Sequence, residues 1–280
     1  MLSSSPAVLL NIGCGRRFSR DPRWNNIDLV PSAPEVSAVD VSMGLPFERD
    51  SFHAVYHSHV LEHLDRISGK KFLADCFRVI KPNGILRVVV PDLERIAIGY
   101  LEQLVEARSS RLGADRRYEW AMLEMCDQMV RSASGGEMLA FLSEREPYGR
   151  KYAEERCGAE TRFIVETIDQ ERQTAVAETK SKFRLQSLTQ KVRSWTIRLL
   201  IGKEALAVQA GRFEISGEKH RWMYDSFSIS EVLKAVGFSK IAVCNSIHSR
   251  IEDWGSFALD ADLCGVTYKP DSLFVEAVKP

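Results

Sequence analysis

The chain has 280 residues, 45% of them hydrophobic, which suits one large domain, or one domain with a sizeable insertion, and argues against a disordered chain. Lysine plus arginine and aspartate plus glutamate balance at 38 each, so no overall positive field points to a nucleic-acid partner. Six cysteines, Cys14, Cys76, Cys126, Cys157, Cys244 and Cys264, stand without a Cys-x-x-Cys pair, which favours reduced thiols over a disulfide framework or a zinc site.

The N-terminal "MLSSSPAVLLNIGCG" lacks a basic leader region and reads as a strand, and no apolar run approaches the roughly 18 residues of a membrane span. The expectation is a soluble, cytoplasmic protein. The first hundred residues alternate short apolar runs with polar turns, the rhythm of an α/β sheet. Val8 to Ile12 is the first strand. "NNIDL" (Asn25 to Leu29) and "SAVDV" (Ser37 to Val41) are two more, each with an aspartate near its end. "FHAVYHS" (Phe52 to Ser58) is the fourth. Phe72, Cys76, Phe77 and Ile80 then recur at helical spacing, "KPNG" (Lys81 to Gly84) is read as ending that helix, and "ILRVVVPDL" reads as a buried strand.

The rhythm stops near Tyr100 and returns near Trp222. Between them lie charged, mostly helical patterns, with an apolar stripe at Trp120, Leu123, Cys126 and Val130 and a break at Ser134 to Gly136. The reading is a sheet domain made of residues 1–99 and 220–280, with residues 100–219 as a helical insertion. "SISEVLKAVGFSKIAVC" gives a helix closed by Gly237 and a further strand, and Ser272 to Lys279 supplies the last strand.

The turn after the first strand holds Gly13 and Gly15. A dinucleotide fingerprint needs a third glycine where Phe18 stands, and no Gly-Lys-Ser/Thr follows to make a phosphate loop. In an open α/β sheet, ligands bind outside the carboxyl ends of the strands at the switch point of strand order. The glycine turn, Asp28, Asp40 and "HSHVLEHL" all fall at such ends. An acidic residue there can accept the hydroxyls of a ribose and another an exocyclic amine, which describes a nucleoside pocket with no phosphate requirement.

Six segments, "LLNIGCGRR", "WNNIDL", "VDVSMGLPFERDSFHAVYHSHVLEHL", "CFRVIKPNGILRVVVPDLE", "HRWMYDSFSISEVLKAVGFSKI" and "KPDSLFVEAVKP", taken in order, resemble the class I S-adenosylmethionine-dependent methyltransferases, in particular a small bacterial group whose members often accompany glycan and polysaccharide biosynthesis. The resemblance implies a Rossmann-like seven-stranded sheet with an antiparallel last strand and the helical insertion after the fifth. It also implies that Gly13, Cys14 and Gly15 pass beneath the methionine part of S-adenosylmethionine and that Asp28, with Asn11 and Leu29 nearby, holds the ribose. Asp40 with Val41 frames the adenine, and Ser58 and His59 lie near the sulfonium. Asn11 and Ile12 stand where many methyltransferases have an acidic residue and an apolar one, and the loop from the glycines to Asp28 is shorter than usual.

Cys14 reads as a small buried residue rather than a nucleophile, since nothing near it in sequence activates a thiolate. His59, Glu62 and His63 share a face if helical. The resemblance requires no metal there, and none is expected. A sugar hydroxyl is a weak nucleophile, and His63, His220 and Asp225 are the candidate bases. The expected acceptor is a sugar or glycan, with a small aromatic or lipid-like metabolite as the alternative and a non-catalytic cofactor-binding scaffold as the rival class. Ser228 or Ser230, with Glu231, is the expected cap of the late helix. Trp120, Tyr148, Tyr152 and Trp195 offer flat surfaces for sugar rings. The basic amphipathic run Lys191 to Lys203 suggests packing within the protein, a homodimer contact through the insertion, or a peripheral membrane contact.

Overall fold

A computed structural model describes residues 8–177, 211, 213–214 and 217–280. Seven strands form one sheet: β1 (Leu9–Ile12), β2 (Trp24–Asp28), β3 (Val36–Ala38), β4 (Phe52–Ser58), β5 (Ile80–Pro91), β6 (Ser239–Cys244) and β7 (Ser272–Val278). Their order is β3-β2-β1-β4-β5-β7-β6. The first five are mutually parallel, and β7 runs antiparallel to both β5 and β6. This is the expected Rossmann-like methyltransferase sheet. The strand order reverses between β1 and β4, so the crevice at their carboxyl ends is where such a sheet receives a ligand.

Helix α1 (Arg66–Val79) joins β4 to β5. Asp65 caps it, accepting hydrogen bonds from the backbone of Ile67 and Ser68, and Phe72, Leu73, Cys76 and Val79 bury its inner face. The helix ends at Val79, before the "KPNG" read as its stop. Ile80 turns directly into extended backbone, and Lys81 to Gly84 belong to β5, beside a register shift opposite Phe52 and Ala54. β3 is shorter than its sequence suggested, because Asp40 leaves the strand to cap a single 3-10 turn at Val41–Met43.

One face of the sheet packs Leu10, Ile12, Val55, Leu86 and Val88 against α1 and the late helix α7 (Ser226–Val236, labelled in the order of all helices). The other face carries Trp24, Tyr56, Trp254 and Phe257. Arg87 is fully buried among them in the middle of β5. Its Nε donates to Asp260 Oδ2 at 2.8 Å, Nη1 to Glu276 Oε1 at 2.8 Å and Nη2 to the carbonyl of Asn245 at 2.6 Å, while the guanidinium lies 4.4 Å from the Trp254 ring centroid. One cation thereby pins the long connection between β6 and β7 to the sheet.

Helix α2 (Leu93–Arg108) starts directly after β5 and crosses the expected boundary at residue 99, so the first helix leaving the sheet is continuous with the insertion. α3 (Ala114–Val130), α4 (Gly136–Ser143), α5 (Pro147–Cys157) and α6 (Ala159–Ala177) follow. They share a core of Trp120, Phe141, Leu142, Ala153 and Val165. Of the expected apolar stripe, Trp120 is buried and Leu123 and Cys126 are half-buried, whereas Val130 is exposed. The helix break at Ser134 to Gly136 is present, with Gly135 at φ 78° and Gly136 at φ 54°. Lys191 to Lys203, including Trp195, lie outside the described residues. Among the described residues no helix is long and apolar enough to cross a membrane.

Replacing Arg87 by alanine leaves Asp260 and Glu276 as buried carboxylates without their cation. Breaking such a pair costs about 3–5 kcal/mol. Urea unfolding of Arg87→Ala is expected to show a loss of that order, and a loss under about 1 kcal/mol would mean that Arg87 does not hold the β6–β7 connection.

Candidate active site

β1 ends in a turn that folds over the end of β2. The amides of Gly13 and Cys14 donate to the carbonyl of Ile27 at 2.8 and 3.2 Å. Gly13 sits at φ 63°, and a Cβ there would collide with the Val60 side chain, so the turn can lie against the segment that follows β4 only because this residue is glycine. Gly15, at φ 54°, has open space where its Cβ would be. Its amide donates to Asp28 Oδ2 at 2.8 Å, and Asp28 Oδ1 accepts from the amide of Val30 at 3.0 Å. The sequence-distant glycines and Asp28 are therefore one unit. Leu29 beside them is 57% exposed, an apolar surface open for contact.

Asn11 is buried beneath the turn, where its Nδ2 donates to Asn26 Oδ1 at 3.1 Å and to the carbonyl of Arg17 at 3.3 Å. Its amide braces the loop from below. Cys14 is also buried. Burial, reinforced by the Asp28 charge, pushes its thiol up to about 12, so it stays protonated at neutral pH. The carbonyl of Asp28 accepts from the amide of Val39, linking this turn to the next one. There Asp40 Oδ1 accepts from the amide of Ser42 at 2.9 Å, and the Ser42 hydrogen bonds lower its carboxyl below the usual range. Val41 is half-buried behind it.

Ser58 ends β4, and His59 follows at φ 55°, a left-handed conformation uncommon for a non-glycine residue. His59 Nε2 is 2.9 Å from Ser272 Oγ, and Nδ1 makes an ion-pair contact with Glu62 Oε1 at 3.0 Å. The expected helix carrying His59, Glu62 and His63 is instead a single 3-10 turn, Leu61–His63, and His59 lies outside it. The shared face is made another way. The chain returns from the insertion across this turn, and the amides of Arg221 and Trp222 both donate to the carbonyl of Glu62, at 2.7 and 3.2 Å. That crossing sets His220 edge-on to His63, with ring centroids 4.8 Å apart.

Glu62 is fully buried and His220 nearly so. Burial opposes ionisation of Glu62, but the attraction of His59, followed by His63 and His220, overcomes it and brings the carboxyl to about 2. Burial pushes His220 down to about 3 and shifts His63 in the same direction, against the pull of Glu62. At neutral pH these two imidazoles are uncharged beside a charged carboxylate.

Asp225, the third expected base, is engaged elsewhere. It is the N-cap of α7, where its Oδ1 accepts from the amide of Ser228 at 2.7 Å while Ser228 Oγ accepts from the amide of Asp225 at 3.0 Å. The cap expected at Ser228 or Ser230 with Glu231 is thus this Asp225–Ser228 box, whose hydrogen bonds hold the Asp225 carboxyl below its usual range. Trp222 turns to the surface, with the Arg66 guanidinium 4.8 Å from its ring centroid.

A cavity of about 490 Å³ begins at His59, His63 and His220, beside Pro91 at the end of β5, and runs into the insertion. Met138, Leu139, Leu142 and Ile164 give it an apolar wall. Glu124 is held by Arg156 at 2.6 and 3.2 Å, and Glu160 by Lys269 at 2.9 Å. Three buried atoms of its lining residues, Trp120 Nε1, Arg131 Nε and Asp271 Oδ1, have no hydrogen-bond partner among the described residues. Trp120 itself packs against Phe141, 5.5 Å between centroids, inside the insertion core. Being fully buried, it is not the open stacking platform expected from the sequence. Tyr148 is 42% exposed and Tyr152 packs against the same core. A second groove, of about 780 Å³, connects His63 to Val41–Gly44 along α1.

Residues 22–88 match the family model of a methyltransferase domain. The match spans β2 to β5, inside the seven-stranded sheet. Residues 22–88 resemble a methyltransferase domain. The cofactor of such a domain is S-adenosylmethionine. Among solved structures, the methyltransferase is similar to an S-adenosylmethionine-dependent methyltransferase from Thermotoga maritima, at 10% identity over 97% of this chain and 82% of that one, with a TM-score of 0.38. It is also similar to phosphoethanolamine N-methyltransferase 2 from Haemonchus contortus, at 12% identity over 97% and 48% of the two chains, with a TM-score of 0.35. A third similarity is to 1,6-didemethyltoxoflavin-N1-methyltransferase from Burkholderia thailandensis, at 24% identity over 31% and 46%, with a TM-score of 0.26. These superpositions are loose and bear on neither acceptor nor catalytic residues. No protein in a search of curated proteins matches the chain.

The two glycines of the methyltransferase turn differ in a testable way. Alanine at either must adopt a left-handed backbone, at roughly 1–2 kcal/mol, but only alanine at 13 also meets Val60. Thermal unfolding is expected to place Gly13→Ala clearly below Gly15→Ala, and equal melting temperatures would show that Val60 yields freely.

Proposed function

We propose that this methyltransferase moves the sulfonium methyl of S-adenosylmethionine to a hydroxyl of a sugar or glycan held in the 490 Å³ cavity. The supporting observation is that cavity's composition and place. It starts at the ends of β4 and β5, and its lining residues Trp120, Arg131 and Asp271 each hold a buried polar atom without a partner among the described residues, beside the carboxylates Glu124 and Glu160. Buried unpaired groups are costly, and a ligand with many hydroxyls would satisfy donors and acceptors alike.

The residues present fit the cofactor. Each Asp28 oxygen accepts one backbone amide, and a carboxylate offers about four acceptor sites, so places for both ribose hydroxyls remain. Gly13, Cys14 and Gly15 bring backbone close to the methionine portion, with Asn11 bracing the loop. Leu29 and the Asp40–Val41 turn border the adenosine, and Ser58 and His59 stand toward the sulfonium. The cofactor supplies the activated methyl group. The chain aligns the acceptor oxygen with the methyl and the sulfur, and such positioning is worth roughly 7–11 kcal/mol in favourable cases. The acceptor's proton leaves into the cavity beside Glu62, His63 and His220.

Residues 100–219 are, on this reading, the acceptor-side part of the enzyme and residues 1–99 with 220–280 the cofactor-side part. The apolar wall at Met138, Leu139, Leu142 and Ile164 favours one second reading, a small aromatic or lipid-like acceptor in the same cavity.

Asp28→Ala removes a charged acceptor, a loss of about 1.5–3 kcal/mol, or about one to two decades in affinity. Calorimetry with S-adenosylmethionine is expected to show it, and unchanged affinity would remove Asp28 from the site. With labelled S-adenosylmethionine, transfer is expected to glycans in preference to aromatic acceptors. Asp271→Asn is expected to raise the acceptor KM while leaving cofactor affinity unchanged. Transfer to aromatic acceptors alone would replace the glycan reading.

A further inference from the structure

From the sequence, His59, Glu62 and His63 supply three ligands only if all lie inside one helix, and the family resemblance requires no metal, so none is expected. The structure replaces that grouping with another. Glu62, His63 and His220 each bring a ligand atom to one place, all within 4.8 Å of one another. We propose that these three side chains bind a divalent transition-metal cation.

Four observations support this. The Glu62 carboxylate is fully buried; Oε1 meets His59 Nδ1 at 3.0 Å, and Oε2 accepts no hydrogen bond among the described residues. A buried anion in that state calls for a compensating positive charge. His63 Nδ1 is 3.3 Å from the carbonyl of Lys219, and since a carbonyl only accepts, that nitrogen carries the proton and leaves the Nε2 lone pair available. An imidazole whose second nitrogen donates to a backbone carbonyl is the usual outer arrangement of a metal-ligating histidine. His63 and His220 meet edge to face, and each brings a ligand atom near the carboxylate.

Two neutral imidazoles and one carboxylate suit Zn²⁺, Co²⁺, Fe²⁺ or Mn²⁺, and three protein ligands leave at least one position open. Ligand atoms up to 4.8 Å apart must draw together by side-chain rotation to hold a cation at roughly 2.0–2.2 Å. Among the neighbours, His59 stands at Oε1, Lys269 is paired with Glu160, and Arg131 donates to the carbonyl of Glu218. His57 lies behind in the core against Phe72.

The cation's role rests on the methyl-transfer reading, although its binding does not. All three ligands adjoin the proposed acceptor cavity, and His63 and His220 line it. An acceptor hydroxyl occupying the open position would be acidified. Its proton would pass to water in the cavity as the oxygen–methyl bond forms and the sulfur–methyl bond breaks, leaving the cofactor as a neutral thioether.

The test uses the full chain, stripped with a chelator and titrated with Co²⁺ alone. One equivalent per chain with visible d–d absorption is expected, and Glu62→Gln and His220→Ala are expected to lose it while binding S-adenosylmethionine as the parent does. In the unaltered protein, Zn²⁺ is expected to move the ring resonances of His63 and His220, a readout that does not depend on either variant folding. No stoichiometric Co²⁺ uptake by the parent protein, uptake equal in both variants, or unmoved histidine signals would overturn the proposal. Cobalt bound without any affinity for S-adenosylmethionine would leave the metal site standing and remove the transferase reading. The reverse pattern would do the opposite.

Discussion

Glu62 is where two distant parts of the chain are forced to agree. Its carbonyl accepts both amides of the returning segment at Arg221 and Trp222, and its buried carboxylate faces His59, His63 and His220. An ionised carboxylate with no solvent contact is stable only where charge and dipoles converge on it. The constraint acts in both directions. The turn after β4 is held by residues that follow the insertion, and those residues are placed by the turn. The amide of His220 also donates to the carbonyl of Gln128 in α3, so the same crossing fastens the insertion to the sheet. The cavity beside it inherits its shape from that fastening.

The cofactor side is organised by shorter-range logic. Gly13 lets the first turn lie against Val60, next to His59, so one close approach couples the glycine turn to the histidine cluster. Gly15 and Asp28 are joined through one hydrogen bond, and the Asp28 carbonyl ties on the turn that carries Asp40 and Val41. Four strand ends thus form a continuous rim, and each contact along it is between backbone and a neighbouring strand end. Such a rim follows from parallel register, with the Asp28 carboxylate fixing the glycine turn to it.

That difference explains what the sequence revealed. Strand periodicity, the two glycines and the strand-end aspartates are local signals, and with the family resemblance they were sufficient for the seven-stranded sheet. The long-range pairings carry no local signature. Arg87 reads as one polar residue interrupting an apolar strand, and nothing in "ILRVVV" announces Asp260 or Glu276 as its partners. His220 lies 158 positions from Glu62 in sequence, so a search for helical spacing near His59 could not find it. Asp225 misled for a physical reason: a polar cluster at the entry to a helix serves the helix first, and its carboxylate is the cap. Trp120 misled because aromatic residues at helical spacing serve the core before a ligand, and here it closes on Phe141.

The central claim is that S-adenosylmethionine lies across the carboxyl ends of β1, β2 and β4. Amide hydrogen exchange read by mass spectrometry, with and without S-adenosylmethionine, tests it directly over the whole chain. Slower exchange is predicted at residues 13–15, 28–30, 40–44 and 58–63, with the strands behind them unchanged. Protection confined to the insertion, or no protection at the glycine turn at saturating cofactor, would contradict the account.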